Sequence, residues 1–94
     1  MATYLMFGRY SLGAVKEISA ERTDKAAAVV KKHGGQVKGG YALLGKDDLV
    51  LIVDLPDTEQ AMKTSVALSK LLGISFTTAP AVSIEDFDKM MEEV

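Results

Sequence analysis

The chain of 94 residues contains no cysteine and no tryptophan, and it has one histidine and two prolines. Without cysteine there can be no disulfide framework, no thiolate metal site and no cysteine nucleophile. A single histidine argues against zinc or iron sites of the histidine-cysteine type. No GxSxG motif supports a Ser-His-Asp triad. Apolar runs approaching the roughly 20 residues of a membrane span are also missing. The apolar start Tyr4-Leu5-Met6-Phe7 has no basic region before it and meets Arg9 at once, too soon for a signal-peptide core. The expected location is therefore the cytoplasm, with no membrane partner. Eleven Lys and Arg stand against 13 Asp and Glu, a net charge of -2. These scattered cations do not form the clustered basic face that counterion-release binding requires, so no nucleic-acid partner is expected.

What remains is an ordinary globular composition, 48% hydrophobic and 26% charged, long enough for one domain over residues 1–94. A chain of this size buries about 60 to 70% of its unfolded surface. Its stability margin is thin, and a partner subunit would widen it.

The pattern along the chain predicts β-α-β-β-α-β followed by a helix. Thr3 to Tyr10 reads as a strand. Leu12 to His33 has helical spacing, as one kinked helix or two, with Ser19 a possible fresh N-cap and Gly34-Gly35 the stop. Gln36 to Leu44 and Asp48 to Leu55 read as strands joined by a tight hairpin at Gly45-Lys46-Asp47. Asp57 to Leu72 opens on a carboxylate cap with Gln60 three residues on and closes at Gly73. Ile74 to Val82 reads as a fourth strand whose Pro80 suits a sheet edge. Ser83-Ile84-Glu85-Asp86 resembles another capping box, and Ile84, Phe87, Met90, Met91 and Val94 share one face of a terminal helix.

This order is the split βαβ plan of ferredoxin-like folds, an α+β class with a four-stranded antiparallel sheet whose first and third strands are central. Both faces of those strands are apolar. Leu49, Leu51 and Val53 alternate with Val50 and Ile52, and Leu5 and Phe7 alternate with Tyr4 and Met6. Two long helices cover only one face, so the second must be covered by something else. A homodimer with sheets face to face is expected. The terminal helix folding across the open face is the other arrangement that would serve.

Few residues suggest chemistry. His33 sits in Lys31-Lys32-His33-Gly34-Gly35, where a partly cationic ring suits a helix C-terminus. Gly34, Gly35, Gly39 and Gly40 match neither GxGxxG nor a Walker sequence. A bulge or a close backbone approach at Gly39-Gly40 would explain them, and that approach could admit a ligand beside Tyr41. Asp47 and Asp48 read as a solvated hairpin tip. Tyr10 and Tyr41 have hydroxyls that could line a cleft. Arg9 shares a strand face with Leu5 and Phe7, where its guanidinium can capture a carboxylate. The candidate ligand-binding residues are thus Arg9, Tyr10, His33 and Tyr41, with no catalytic residue, metal or cofactor assigned.

Tyr4 to Ser11, Lys32 to Lys38, Gly45-Lys46-Asp47-Asp48-Leu49-Val50 and Thr77 to Ala81 together resemble the GYD domain family over nearly the whole chain. The family takes its name from a glycine, tyrosine and aspartate at this hairpin. Gly45 and Asp48 fit, and Asp47 stands where the tyrosine would be; through the resemblance Gly45 supplies the turn conformation and Asp48 an acceptor for turn amides at the start of the third strand. The resemblance implies the layout of the dimeric α/β-barrel group, which includes effector domains of leucine-responsive-type regulators and small cofactor-free monooxygenases. It implies an association mode and no settled activity. Two functions follow as expectations: a homo-oligomeric module binding a small molecule at the sheet-helix cleft or the dimer seam, or a cofactor-free monooxygenase or isomerase.

Overall fold

A computed structural model describes residues 1–94. Four strands, β1 (Ala2–Tyr10), β2 (Gln36–Ala42), β3 (Leu49–Leu55) and β4 (Ile74–Ala81), form one antiparallel sheet in the order β2-β3-β1-β4. β1 and β3 are central, as the ferredoxin-like plan requires, and Pro80 lies on an edge strand, where its missing N–H costs no ladder bond.

The helical stretch after β1 is two helices. α1 (Leu12–Val15) is a single turn capped by Ser11, and α2 (Ala20–Lys32) restarts at Ser19, whose hydroxyl accepts from the Arg22 amide at 3.2 Å. α2 ends in a Schellman motif: the Gly35 amide donates to the Val30 carbonyl and the Gly34 amide to the Lys31 carbonyl. α3 (Thr58–Leu72) is capped by the Asp57 carboxylate, which accepts from the Gln60 amide at 2.9 Å, and it closes at Gly73. α4 (Ile84–Met91) is capped by the Ser83 hydroxyl, which accepts from the Asp86 amide at 3.0 Å.

α2 and α3 lie on the same side of the sheet and bury Tyr4, Met6, Val53 and Leu55 from the strands against Val30 and Leu68 from the helices. The one buried polar side chain, Thr64, donates to the Gln60 carbonyl at 2.7 Å, so the core holds no unpaired hydroxyl there. Gly8 belongs to this face. A Cβ on it would come within 2.9 Å of both Ile74 Cγ2 and Phe76 Cε1, so those side chains would have to shift to admit any substituent there.

The β2–β3 connection differs from the tight three-residue hairpin expected from Gly45-Lys46-Asp47. β2 ends at Ala42 and β3 begins at Leu49, with one bond from the Leu43 amide to the Asp48 carbonyl, 2.8 Å, closing the loop. Gly45 sits at φ 142, open to glycine and strained for other residues, which sets the chain reversal inside a longer loop. The Asp48 backbone also donates to the Gly8 carbonyl at 2.8 Å, and its carboxylate accepts from the Tyr10 amide at 2.8 Å. Asp48 is therefore a brace between β3 and the end of β1 rather than a solvated tip. A carboxylate acceptor makes this a strong bond. A bulge interrupts β2 between Val37 and Gly39, beside the expected glycine pair.

Candidate functional site

The sheet has two unlike faces. On the far side from α2 and α3, the register sets Leu5 opposite Ile52 and Phe7 opposite Val50, with Tyr41 beside Val50 at the β2 edge. Thr77 and Ala79 of β4 complete the rows alongside Phe7 and Leu5. Leu5, Phe7 and Ile52 are half-buried by their strand neighbours alone, and no helix of the chain packs there. α4 does not fold across this face. Its Ile84, Phe87, Met90 and Met91 are all exposed, and it touches the rest of the chain only weakly.

On the covered side, a cleft of about 340 Å³ opens between α3 and edge strand β4, lined by Tyr4, Met62, Ser65, Val66, Phe76 and Thr78 among others. The hydroxyls of Ser65 and Thr78 are hydrogen-bonded to each other at 2.7 Å across it. The cleft is apolar at Met62, Val66 and Phe76 and polar where those hydroxyls meet. Its volume falls at the small end of the usual range for ligand sites, about 300 to 1,000 Å³. It exists because β4 is an edge strand: α3 leans over β4, and no further strand or helix closes the side.

A second hollow, of about 80 Å³, lies under the α1–α2 connection and is lined by Tyr10, Ile18, Arg22, Leu49, Leu51 and Phe76 among others. Arg22 donates through Nη1 to the Ala14 carbonyl at 2.7 Å and through Nη2 to the Leu72 carbonyl. It satisfies orphan carbonyls at two helix ends and so is structural. At this size the hollow accommodates water or a very small group.

The four residues singled out from the sequence occupy separate surroundings. Tyr10 packs against the core on the covered face and lines the small hollow. Arg9, one residue earlier, is exposed on the opposite face, in the row of Leu5 and Phe7. The four ion pairs of the chain are Lys25–Glu21, Lys38–Asp54, Lys63–Glu59 and Lys89–Glu85, and Arg9 enters none of them. Tyr41 shares the open face with Arg9 but lies two strands away, so Tyr10 and Tyr41 line no common cleft. His33 is the C-cap residue of α2, with Nδ1 2.9 Å from the Val29 carbonyl. A carbonyl only accepts, so Nδ1 carries the proton in this bond. The ring stands beside Gly34, whose neighbour across space is Pro56, at the opposite end of the sheet from Tyr10. No three His, Asp or Glu side chains converge into a metal-ligand set.

The cleft residues Ser65 and Thr78 carried no signal in the sequence. Ser65 lies in the middle of an amphipathic helix and Thr78 in a β-rich run, where hydroxyls are common. Only the meeting of α3 with the β4 edge makes them neighbours.

The model of the GYD domain matches residues 4–91. The chain belongs to the GYD domain family. Among curated proteins, none matches it by sequence. Solved structures share its fold at low identity. FFRP-DM1 is similar over 87% of this chain and 100% of its own, with 20% identity and a TM-score of 0.63. An AsnC family transcriptional regulator from Agrobacterium tumefaciens is similar over 87% of this chain and 50% of its own, at 20% identity and TM-score 0.58. The Mycobacterium tuberculosis leucine response regulatory protein LrpA is similar over 87% and 51%, at 10% identity and TM-score 0.58. The chain thus spans about half the length of these two regulators. In this GYD domain Gly45 and Asp48 have structural work: Gly45 turns the loop, and Asp48 ties β3 to β1. Asp47 is half-buried and enters none of the chain's ion pairs.

Proposed function

We propose that this GYD domain is a homodimeric module of the cytoplasm that pairs its open sheet faces and binds a small, largely apolar molecule in the cleft between α3 and β4. The observation that carries the reading is the second apolar face on the two central strands. Four side chains there, Leu5, Phe7, Val50 and Ile52, would gain roughly 1.5 to 3 kcal/mol each on full burial. Strand neighbours already cover part of them, Val50 being only 9% exposed, so the gross gain falls below the sum of about 6 to 12 kcal/mol that four fully exposed side chains would give. Association costs several kcal/mol in lost freedom, so pairing requires that Thr77, Ala79 and the rest of the open face add their area to these four. Such a dimer would leave the cleft open, since cleft and paired face lie on opposite sides of the sheet.

The chemistry of the cleft supports a neutral ligand with one hydroxyl, carbonyl or amide. Its lining includes the hydroxyl-bearing Tyr4, Thr58, Ser65 and Thr78 and no charged side chain, and a charged molecule would lose its hydration without compensation. The test is native mass spectrometry of the protein purified from its own host, which reads assembly and ligand together. A dimer carrying a small molecule, absent from a Val66→Trp variant that fills the cleft from its exposed wall, is the expected result. A dimer that is empty in every preparation contradicts the ligand-binding part, and a monomer contradicts the association.

A further inference from the structure

α4 is a formed helix with no place in its own subunit. Ser83 caps it, yet every residue from Ile84 to Met91 is exposed. At 100° per residue Ile84, Phe87, Met90, Met91 and Val94 fall on one stripe, and such a stripe on a soluble helix faces a partner surface. The rest of the segment is acidic: Glu85, Asp86, Asp88, Glu92 and Glu93 against the single Lys89. Asp86 and Ser83 border a solvent-open hollow together with Thr3 and Leu5, so the helix leaves the domain on the side of the open sheet face.

The opposite end of that same face has the complementary character. Arg9 is exposed there without a carboxylate partner. Phe7 precedes it by two residues in the same row, the exposed Tyr41 lies two strands away beyond Val50, and the loop closing this end carries a fully exposed Leu44 next to Gly45 and Lys46. An apolar patch with a free cation thus mirrors an apolar stripe flanked by carboxylates. Within one chain the stripe and the cation start from opposite ends of the sheet. α4 starts beside Thr3, which pairs with Ala81, and Arg9 lies six residues along β1, about 20 Å away at 3.3 Å per residue. A helix of eight residues is only about 12 Å long. A two-fold axis running across the strands brings the α4 end of one sheet over the Arg9 end of the other.

We propose that α4 is an exchanged arm: in the dimer it lies along the rim of the partner's open face, outside the rows the two sheets bury against each other, its apolar stripe on Leu44 and the outer edge of Tyr41, its carboxylates turned to Arg9. The occupant of this surface is a second copy of the chain. The proposal rests on the sheet-to-sheet dimer, and its test separates the two.

Because the chain has no cysteine, two single variants, Leu44→Cys and Phe87→Cys, supply the only thiols in a mixture. Both positions are exposed, so neither substitution threatens the fold. After subunit exchange and mild oxidation, the mixture is expected to give a covalent dimer that neither variant gives alone. Light scattering on the reduced mixture reads the non-covalent state in parallel. A non-covalent dimer without the cross-link overturns the exchanged arm and leaves the sheet dimer standing, as does cross-linking of Phe87→Cys with itself. A monomer overturns both. The charge arm of the proposal has its own readout: Arg9→Glu should raise the dimer dissociation constant about tenfold, while Arg9→Lys should change it much less. Equal affinities for the two would remove the ion-pair contact.

Discussion

The two faces of this sheet are built from the same strands and nearly the same kinds of residue, and they end in opposite conditions. On one, Met6, Val53 and Leu55 have no exposed surface because α2 and α3 sit on them. On the other, Leu5, Phe7 and Ile52, each next in sequence to a fully buried neighbour or one residue removed, keep part of their surface in water. Strand alternation alone separates them, since successive side chains point to opposite faces. The contrast teaches that apolar content in a strand marks burial by something, without saying whether the cover is a helix of the same chain or a second subunit. Number and length of helices decide that: two of three turns or more are available here, and they occupy a single side.

The sharpest way to break the comparison is to place a charge on each face in turn. Val53→Lys puts an ammonium among Met6, Leu55 and Leu68 and should unfold the chain, a loss of several kcal/mol seen as a collapsed far-UV signal. Ile52→Lys, one residue away, should leave circular dichroism intact and abolish the dimer. If Ile52→Lys also unfolds the protein, the open face is part of the subunit's own core and the distinction fails. Next in size, Leu68→Ala leaves a cavity under the covered face and should lower unfolding free energy by about 2 to 5 kcal/mol in urea titration. The same truncation at Leu5 should cost folding stability much less while weakening association. A smaller effect is expected from Asp48→Ala, which leaves the Tyr10 amide without its acceptor: about 1.5 to 3 kcal/mol by denaturant titration. Ser83→Ala should have the least effect on the subunit. It removes a cap worth about 1 kcal/mol from α4 alone, so helix content falls slightly and the thermal midpoint of a monomeric Ile52→Lys background stays put.

Much of the fold was legible in the sequence because each element carries its own punctuation. Ser19, Asp57 and Ser83 were expected as caps, and each side chain accepts the amide three residues on. The alternation in Thr3–Tyr10 and Asp48–Leu55 separated the two faces correctly, since a period of two leaves only one way to sort the residues. The hairpin was misjudged because Leu43 and Leu44 extend the apolar pattern of β2 past its last ladder bond. A run of leucines does not reveal that the backbone has already left the sheet. Asp48 reads as part of a charged tip and, through the family resemblance, as an acceptor of turn amides; the amide it accepts is that of Tyr10, 38 positions earlier, and no local pattern marks such a contact. The cleft was the least legible feature. Ser65 and Thr78 come from different elements, and their adjacency depends on how α3 leans over β4. Tyr10 and Tyr41 are the pair expected to line a cleft, and strand alternation sends them to opposite sides of the sheet.

The account stands on the open face being a subunit interface. The direct measurement is the molar mass of the native chain at micromolar concentration by size exclusion with light scattering, alongside Ile52→Lys. Twice the 10.1 kDa chain mass for the native protein, and a folded species of a single chain mass for the variant, is the predicted result. A native protein that elutes cleanly at 10.1 kDa would contradict it.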